Sequence, residues 1–262
     1  MTDTPVAVGV GLLPLEPPSS PAITARATEQ KPSKLPPVTT GTSEAYIQGL
    51  ARAVSRASAT DPLTVMFETE KLPLGQSAAE LDLPALQRIV YKAASTRAKA
   101  KVAGGSFVVE AGGFAAVACW EPGRADQPYH LDAQTAAQKP AFSEFTDKVA
   151  EKMRAFLYPV AERVSGGKYW KLSLMARDPG VEYVPGAVRA VLVPFIERFA
   201  SHQNEGGPMP VWLVAGNAQA RAVYAHFGFR DVGEIDVNGI KTWGMVYTGN
   251  IDVNMVDHKN SA

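Results

Sequence analysis

The 262-residue chain has a single cysteine, Cys119, so no disulfide can close within it. Its four histidines, His130, His202, His226 and His258, stand far apart and offer no metal-ligand spacing, so no metal is expected. Neither sign of charge is in excess: 26 lysines and arginines balance 26 aspartates and glutamates, which removes the broad cationic field of a dedicated nucleic-acid binder. Long apolar runs are also missing. The stretch from Val6 to Leu13 is far shorter than the roughly 20 residues that span a bilayer, and no basic region precedes it. Neither nucleic acid nor membrane is expected as a partner, and the expected location is the cytoplasm. What the chain does have is 46% hydrophobic and 20% charged residues, enough to bury a full core.

Eight of the twenty prolines fall within residues 1–42, where they remove amide donors and fix φ against regular structure. This stretch is expected to be a disordered leader, dispensable for folding. A mitochondrial presequence is the competing idea, although Arg26, Lys31 and Lys34 are matched by Asp3, Glu16 and Glu29, whereas such peptides are poor in acids. The folded domain is expected over 43–249, with a flexible polar tail over 250–262.

Hydrophobic periodicity sets out the elements in between. Ile47, Leu50, Ala51 and Val54 recur on one helical face after Ser43, a plausible N-cap, and predict a helix over 43–58. Leu86, Ile89, Val90 and Ala93 predict a second helix from about Leu83 to Gly104. The period then changes to that of strands, with 106–110 and 114–120 joined through Ala111-Gly112-Gly113 as a hairpin. A helix over 142–160, a strand over 169–176, a helix over 189–200 interrupted by Pro194, a strand over 211–214 and a helix over 218–227 follow. Strands over 229–236 and 241–248 close the domain, with Asn238-Gly239 as a strong two-residue turn. On the residues alone the class is mixed α/β.

Chemistry concentrates between Tyr169 and Phe229. A strand ending near Asp178-Pro179 feeds a loop, Gly180 to Ala187, that opens a helix. The free amides of a helix start attract phosphate, so an anion pocket is expected near residues 182–189. Further on, Asn217 and Tyr224 lie seven residues apart, close to two helical turns, and share one side of their helix. A ligand lying along that side meets both. In isolation Asn217 reads as an N-cap, Tyr224 as a core aromatic packed on Trp212 or Phe229, and Cys119 as buried packing.

This ordered run resembles the core of the GCN5-related N-acetyltransferase superfamily, with Asn217, Tyr224, Gly228 and Phe229 as its most specific element. The resemblance covers about residues 43–248. It implies a mixed, mostly antiparallel central sheet flanked by helices, and acetyl transfer from acetyl-coenzyme A to an amine carried by a small molecule or peptide. It implies Tyr224 as the acid that protonates the leaving thiolate, and Asn217 as a residue that places the cofactor. The main chain of Leu174, Met175 and Ala176 would pair with the pantetheine arm. Tyr183, Gly186, Ala187 and Val188 would form the diphosphate loop.

The loop departs from the family pattern, which sets Gln or Arg, two residues, Gly, one residue, then Gly or Ala. Here Tyr183, Gly186 and Val188 stand at those three positions; shifting the register by one residue gives Glu182, Pro185 and Ala187. A non-catalytic binding or structural subunit on the same fold is therefore the alternative reading. On the acceptor side Glu110, Glu121 and Asp178, near strand ends, are candidate bases, none of them assigned.

Overall fold

The computed structural model describes residues 35–70, 80–127, 131–204, 207–249 and 251. Seven strands form one sheet in the order β1-β2-β3-β4-β5-β7-β6. The strands are β1 (Val38–Gly41), β2 (Phe107–Ala111), β3 (Ala116–Arg124), β4 (Lys168–Arg177), β5 (Val211–Ala215), β6 (Arg230–Val237) and β7 (Ile240–Tyr247). Every pairing is antiparallel except β4 with β5. The mixed, mostly antiparallel sheet expected from the sequence is thus the one observed.

The helices are α1 (Glu44–Ser58), α2 (Pro62–Thr69), α3 (Leu83–Ala103), α4 (Ala133–Gln138), α5 (Pro140–Lys152), α6 (Tyr158–Ser165), α7 (Ala187–Phe199) and α8 (Ala218–His226). On one face of the sheet α1 and α3 lay Ile47, Leu50, Val54, Val90 and Ala98 over Val108, Val117, Cys119 and Leu174. Farther along, Phe67 of α2, Phe142 and Phe145 of α5 and Leu157 cluster with Trp212, Val214 and Val246. The other face is covered by α7 and α8, whose Val191, Leu192, Ile196 and Tyr224 pack on Val109, Trp120, Leu172, Met175 and Leu213. Trp170 stacks on Phe199 there, with ring centroids 4.3 Å apart. No helix among the described residues is long and apolar enough to cross a membrane.

Four elements correct the sequence reading. Strand β1 lies inside the stretch expected to be irregular, and Thr39 and Thr40 pair with Glu110 and Val109. Prolines 36 and 37 end just before it, at a sheet edge, where a missing amide costs least. Residues 1–34 of the expected leader lie outside the described residues; so does the expected tail, apart from Ile251, which is buried. Helix α2 went unread because it is only eight residues long, although Asp61 caps it and Pro62 opens it. Helix α4 buries no residue and so carries no periodic signal. The helix expected over 142–160 is instead α5 and α6 joined by a π-helical segment, Met153–Leu157, just ahead of Pro159, which has no amide to donate.

Two details agree with their sequence signals and one does not. Asn238 and Gly239 both take positive φ, 53° and 79°, as the tight β6–β7 turn requires. Helix α3 begins at Leu83, where the periodicity predicts it, and Asp82, not singled out in the sequence, caps it by accepting from the Ala85 amide at 2.7 Å. Ser43 holds the N-cap position of α1, but its side chain makes no capping hydrogen bond.

Candidate active site

The sheet splits at its centre. Parallel pairing of β4 with β5 is confined to Trp170 with Val211 and Lys171 with Trp212, although β4 continues to Arg177 and β5 to Ala215. The cause lies two residues farther on. Cys119 registers with Leu174 and Trp120 with Leu172, so Ser173 is an extra residue in β4, its hydroxyl donating to the Cys119 carbonyl at 3.2 Å. Such a bulge bends its strand and increases its twist, and here β4 leaves β5 at the bulge. The result is a fork whose β4 arm presents an edge that no described strand pairs with. Leu174, Met175 and Ala176 on that arm are buried, which leaves backbone polar groups away from water without a strand partner.

Tyr224 and Met175 fill the fork from the α8 side. Tyr224 is wholly buried, in edge contact with Phe229 at 5.8 Å, and its hydroxyl donates to the Met175 sulfur at 3.5 Å. Burial raises the phenol pKa well above its ordinary value, so the proton stays on oxygen at neutral pH. Of the two neighbours expected for a core tyrosine, Phe229 is in contact, while Trp212 belongs to the cluster on the opposite face.

Asn217 is the N-cap of α8: its Oδ1 accepts from the Ala220 amide at 2.9 Å. Its Nδ2 donates to Asp61 Oδ2 at 3.4 Å, and Asp61 in turn caps α2 through Thr64. One carboxylate therefore serves two helix starts, α2 and α8. Asp61 was not singled out in the sequence; a Thr-Asp-Pro run signals the cap but not the partner 156 residues away.

The loop after β4 begins with a fixed bend. Asp178 is buried and accepts from Arg56 Nη1 at 3.1 Å and from the Gly180 amide at 2.8 Å. The loop ends at Gly186, whose φ of +78° places it in the left-handed region, and it caps α7 without any side-chain bond. Ala190 makes the first backbone bond of that helix, to the Gly186 carbonyl, while Ala187 donates to Val184. The amides of Val188 and Arg189 bond to no described residue.

Beside these amides is a cavity of about 180 Å3, lined by Arg177, Tyr183, Val184, Gly186, Ala187, Val188, Arg189 and Phe227 among others. Arg177 lies over the Tyr183 ring at 5.2 Å. Neither Arg177 nor Arg189 forms an ion pair with a described residue. The cavity lies along the loop for which the sequence predicts an anion pocket. Its charge comes partly from Arg177, which lies outside the loop pattern and becomes its neighbour only through the fold.

The three candidate bases are all engaged. Glu110 accepts from the Thr39 hydroxyl and from the Phe114 amide, holding the β2–β3 turn. Asp178 holds the bend just described. Glu121 is gripped by Lys101 at 2.6 Å, with Lys171 at 3.9 Å. Burial works against the charge of Glu121, but Lys171 and Lys101 outweigh it and keep its pKa below the ordinary carboxylate value. Among the described residues no group of three or more His, Cys, Asp or Glu could hold a metal.

No family model matches the chain, and no curated protein matches it. Among solved structures it is similar to a histone acetyltransferase and related acetyltransferase from Corynebacterium glutamicum, at 14% identity over 81% of this chain and 96% of that one, with a TM-score of 0.49. It is likewise similar to a mutant agmatine N-acetyltransferase in its apo form, at 14% identity over 80% of this chain and 98% of that one, TM-score 0.49. A third similar structure is a putative arylalkylamine N-acetyltransferase of the yellow fever mosquito, at 14% identity over 78% and 84% of the two chains, TM-score 0.48.

Proposed function

We propose that this chain is an acetyl-coenzyme A dependent N-acetyltransferase of the GCN5-related superfamily, acting on an amine of a small molecule or peptide. The observation that carries the reading is the fork, with its buried and unpaired β4 edge leading towards the open amides of α7. A ligand that suits it has peptide-like amides at one end and a diphosphate at the other. Acetyl-coenzyme A has both, and supplies an acetyl group activated as a thioester.

The residues divide the work. Main-chain groups of Leu174, Met175 and Ala176 hold the amide-bearing arm as a further strand would. The Val188 and Arg189 amides, with the guanidinium groups of Arg177 and Arg189, hold the phosphates. Tyr183, Gly186 and Ala187 shape the loop, and Asn217 fixes the start of α8 alongside the arm. The Tyr224 hydroxyl gives its proton to the leaving thiolate. Its present acceptor, the Met175 thioether, is a weak one, so a thiolate in the fork is the better partner.

The test is calorimetric titration of the full chain with acetyl-coenzyme A and with coenzyme A. Binding in about the micromolar range, some 8 kcal/mol, is expected for both; no measurable binding overturns the reading. A second reading, a non-catalytic protein on the same fold, is favoured by one observation: Tyr224 is wholly buried and packs as a core aromatic. That reading expects an empty titration and full stability in Tyr224→Phe.

A further inference from the structure

The loop that opens α7 is braced from both sides, and one brace comes from a part of the chain that the sequence reading left out of the domain. On the first side is the β2–β3 turn. A Cβ placed on Gly112, whose φ is +66°, would lie 2.8 Å from Val184, so only glycine lets the turn seat against the loop. On the second side is the segment just ahead of β1. A Cβ on Gly186 would meet Leu35 Cδ2 at 3.4 Å and Pro36 Cδ at 3.5 Å. Leu35 is partly buried against the same cluster that takes up Val184 and Val188.

The segment cannot drift freely, because β1 follows at once and is hydrogen-bonded to β2 from Val38 to Gly41. Pro36 and Pro37 restrict the backbone between the two contacts. The segment is thus fastened at the sheet edge and laid across the one residue of the loop that is left-handed and has no capping side chain.

We propose that Leu35 and Pro36 are positioning residues for the cofactor loop: a strap that holds Gly186 in its left-handed turn, and so keeps the Val188 and Arg189 amides directed at the diphosphate. The proposal rests on the reading of the chain as an acetyl-coenzyme A enzyme. The strap does not touch the reacting atoms. It sets the geometry of the donors, and in doing so makes the end of the proline-rich segment part of cofactor binding.

The test uses the full chain with Leu35→Ala, and Leu35→Met as the conservative variant that keeps the contact. Amide hydrogen exchange over residues 183–189 is read in the ligand-free proteins, and coenzyme A affinity by calorimetry. In Leu35→Ala, exchange of this loop is expected to quicken while exchange in β3 and β4 and the melting temperature stay close to wild type. Coenzyme A binding weakens by about tenfold, and Leu35→Met restores both readouts. Unchanged loop exchange with unchanged affinity overturns the strap. So does a general rise in exchange across the sheet, which would make Leu35 an ordinary core residue. A wild-type chain that fails to bind coenzyme A fails the functional reading itself and takes the strap's role with it, so the two failures are told apart by the wild-type titration.

Discussion

Helices α7 and α8 each follow a strand that borders the fork, yet their first turns are built in opposite ways. Helix α8 begins at Asn217, whose side chain both satisfies the Ala220 amide and reaches Asp61, so its start is closed by the protein's own groups. Helix α7 begins at a left-handed glycine with no side-chain cap, and two of its first amides meet no described acceptor. Its two nearby arginines form no ion pair with a described residue, and a cavity stands in front of them. Three other helix starts follow the α8 pattern, with Asp61, Asp82 and Asp132 capping α2, α3 and α4, while the N-cap residues of α1, α5 and α6 make no side-chain cap. Closed starts add stability, whereas a start whose amides meet no described acceptor keeps its donors open to a further partner.

This contrast can be broken at several depths. The largest effect is expected inside the fork. Tyr224→Phe keeps the ring and its contact with Phe229, so coenzyme A affinity should stay within about twofold while turnover falls by about a hundredfold or more. Steady-state rates set beside calorimetry separate the two, and equal turnover across pH would return Tyr224 to a packing role.

The next effect belongs to the open helix start. Replacing Arg177 and Arg189 together by alanine should weaken coenzyme A binding by at least about tenfold, since charge-assisted bonds contribute about 1.5–3 kcal/mol each. The affinity that remains should also depend less on salt. Unchanged affinity and salt dependence in the double variant would detach the cavity from the phosphates.

The smallest effect is thermodynamic and concerns the closed start. Asn217→Ala should cost about 1 kcal/mol of stability, as loss of a helix cap does. Ser43→Ala, at a cap position whose hydroxyl caps nothing, should stay within about 0.5 kcal/mol. Denaturant melts of the two variants side by side make the comparison, and equal losses would show that the Asn217 bond contributes little.

These same regions show what can be read in a sequence. The strands and helices from β4 to β7 were legible because their apolar residues repeat at a clear period and because Asn238-Gly239 admits few alternatives. Short elements gave no such signal: α4 buries nothing, and β1 has two exposed threonines behind two prolines. The fork was also hidden, because a bulge at Ser173 is a matter of register between β3 and β4, not of residue type. Arg177 was missed for a related reason. A loop pattern counts along the chain, while charge gathers in space.

Cys119 offers a last consequence. Its thiol is fully buried between the sheet and the α1–α3 layer, and burial pushes its pKa up to about 11. A thiol reagent in solution therefore meets almost no thiolate and has no route to the sulfur while that layer covers it. Labelling has to wait for the α1–α3 layer to lift. Because Cys119 stands in register with Leu174, beside the bulge, the rate at which the intact protein takes up such a reagent is a one-residue clock for parting of that layer from the sheet where the fork begins.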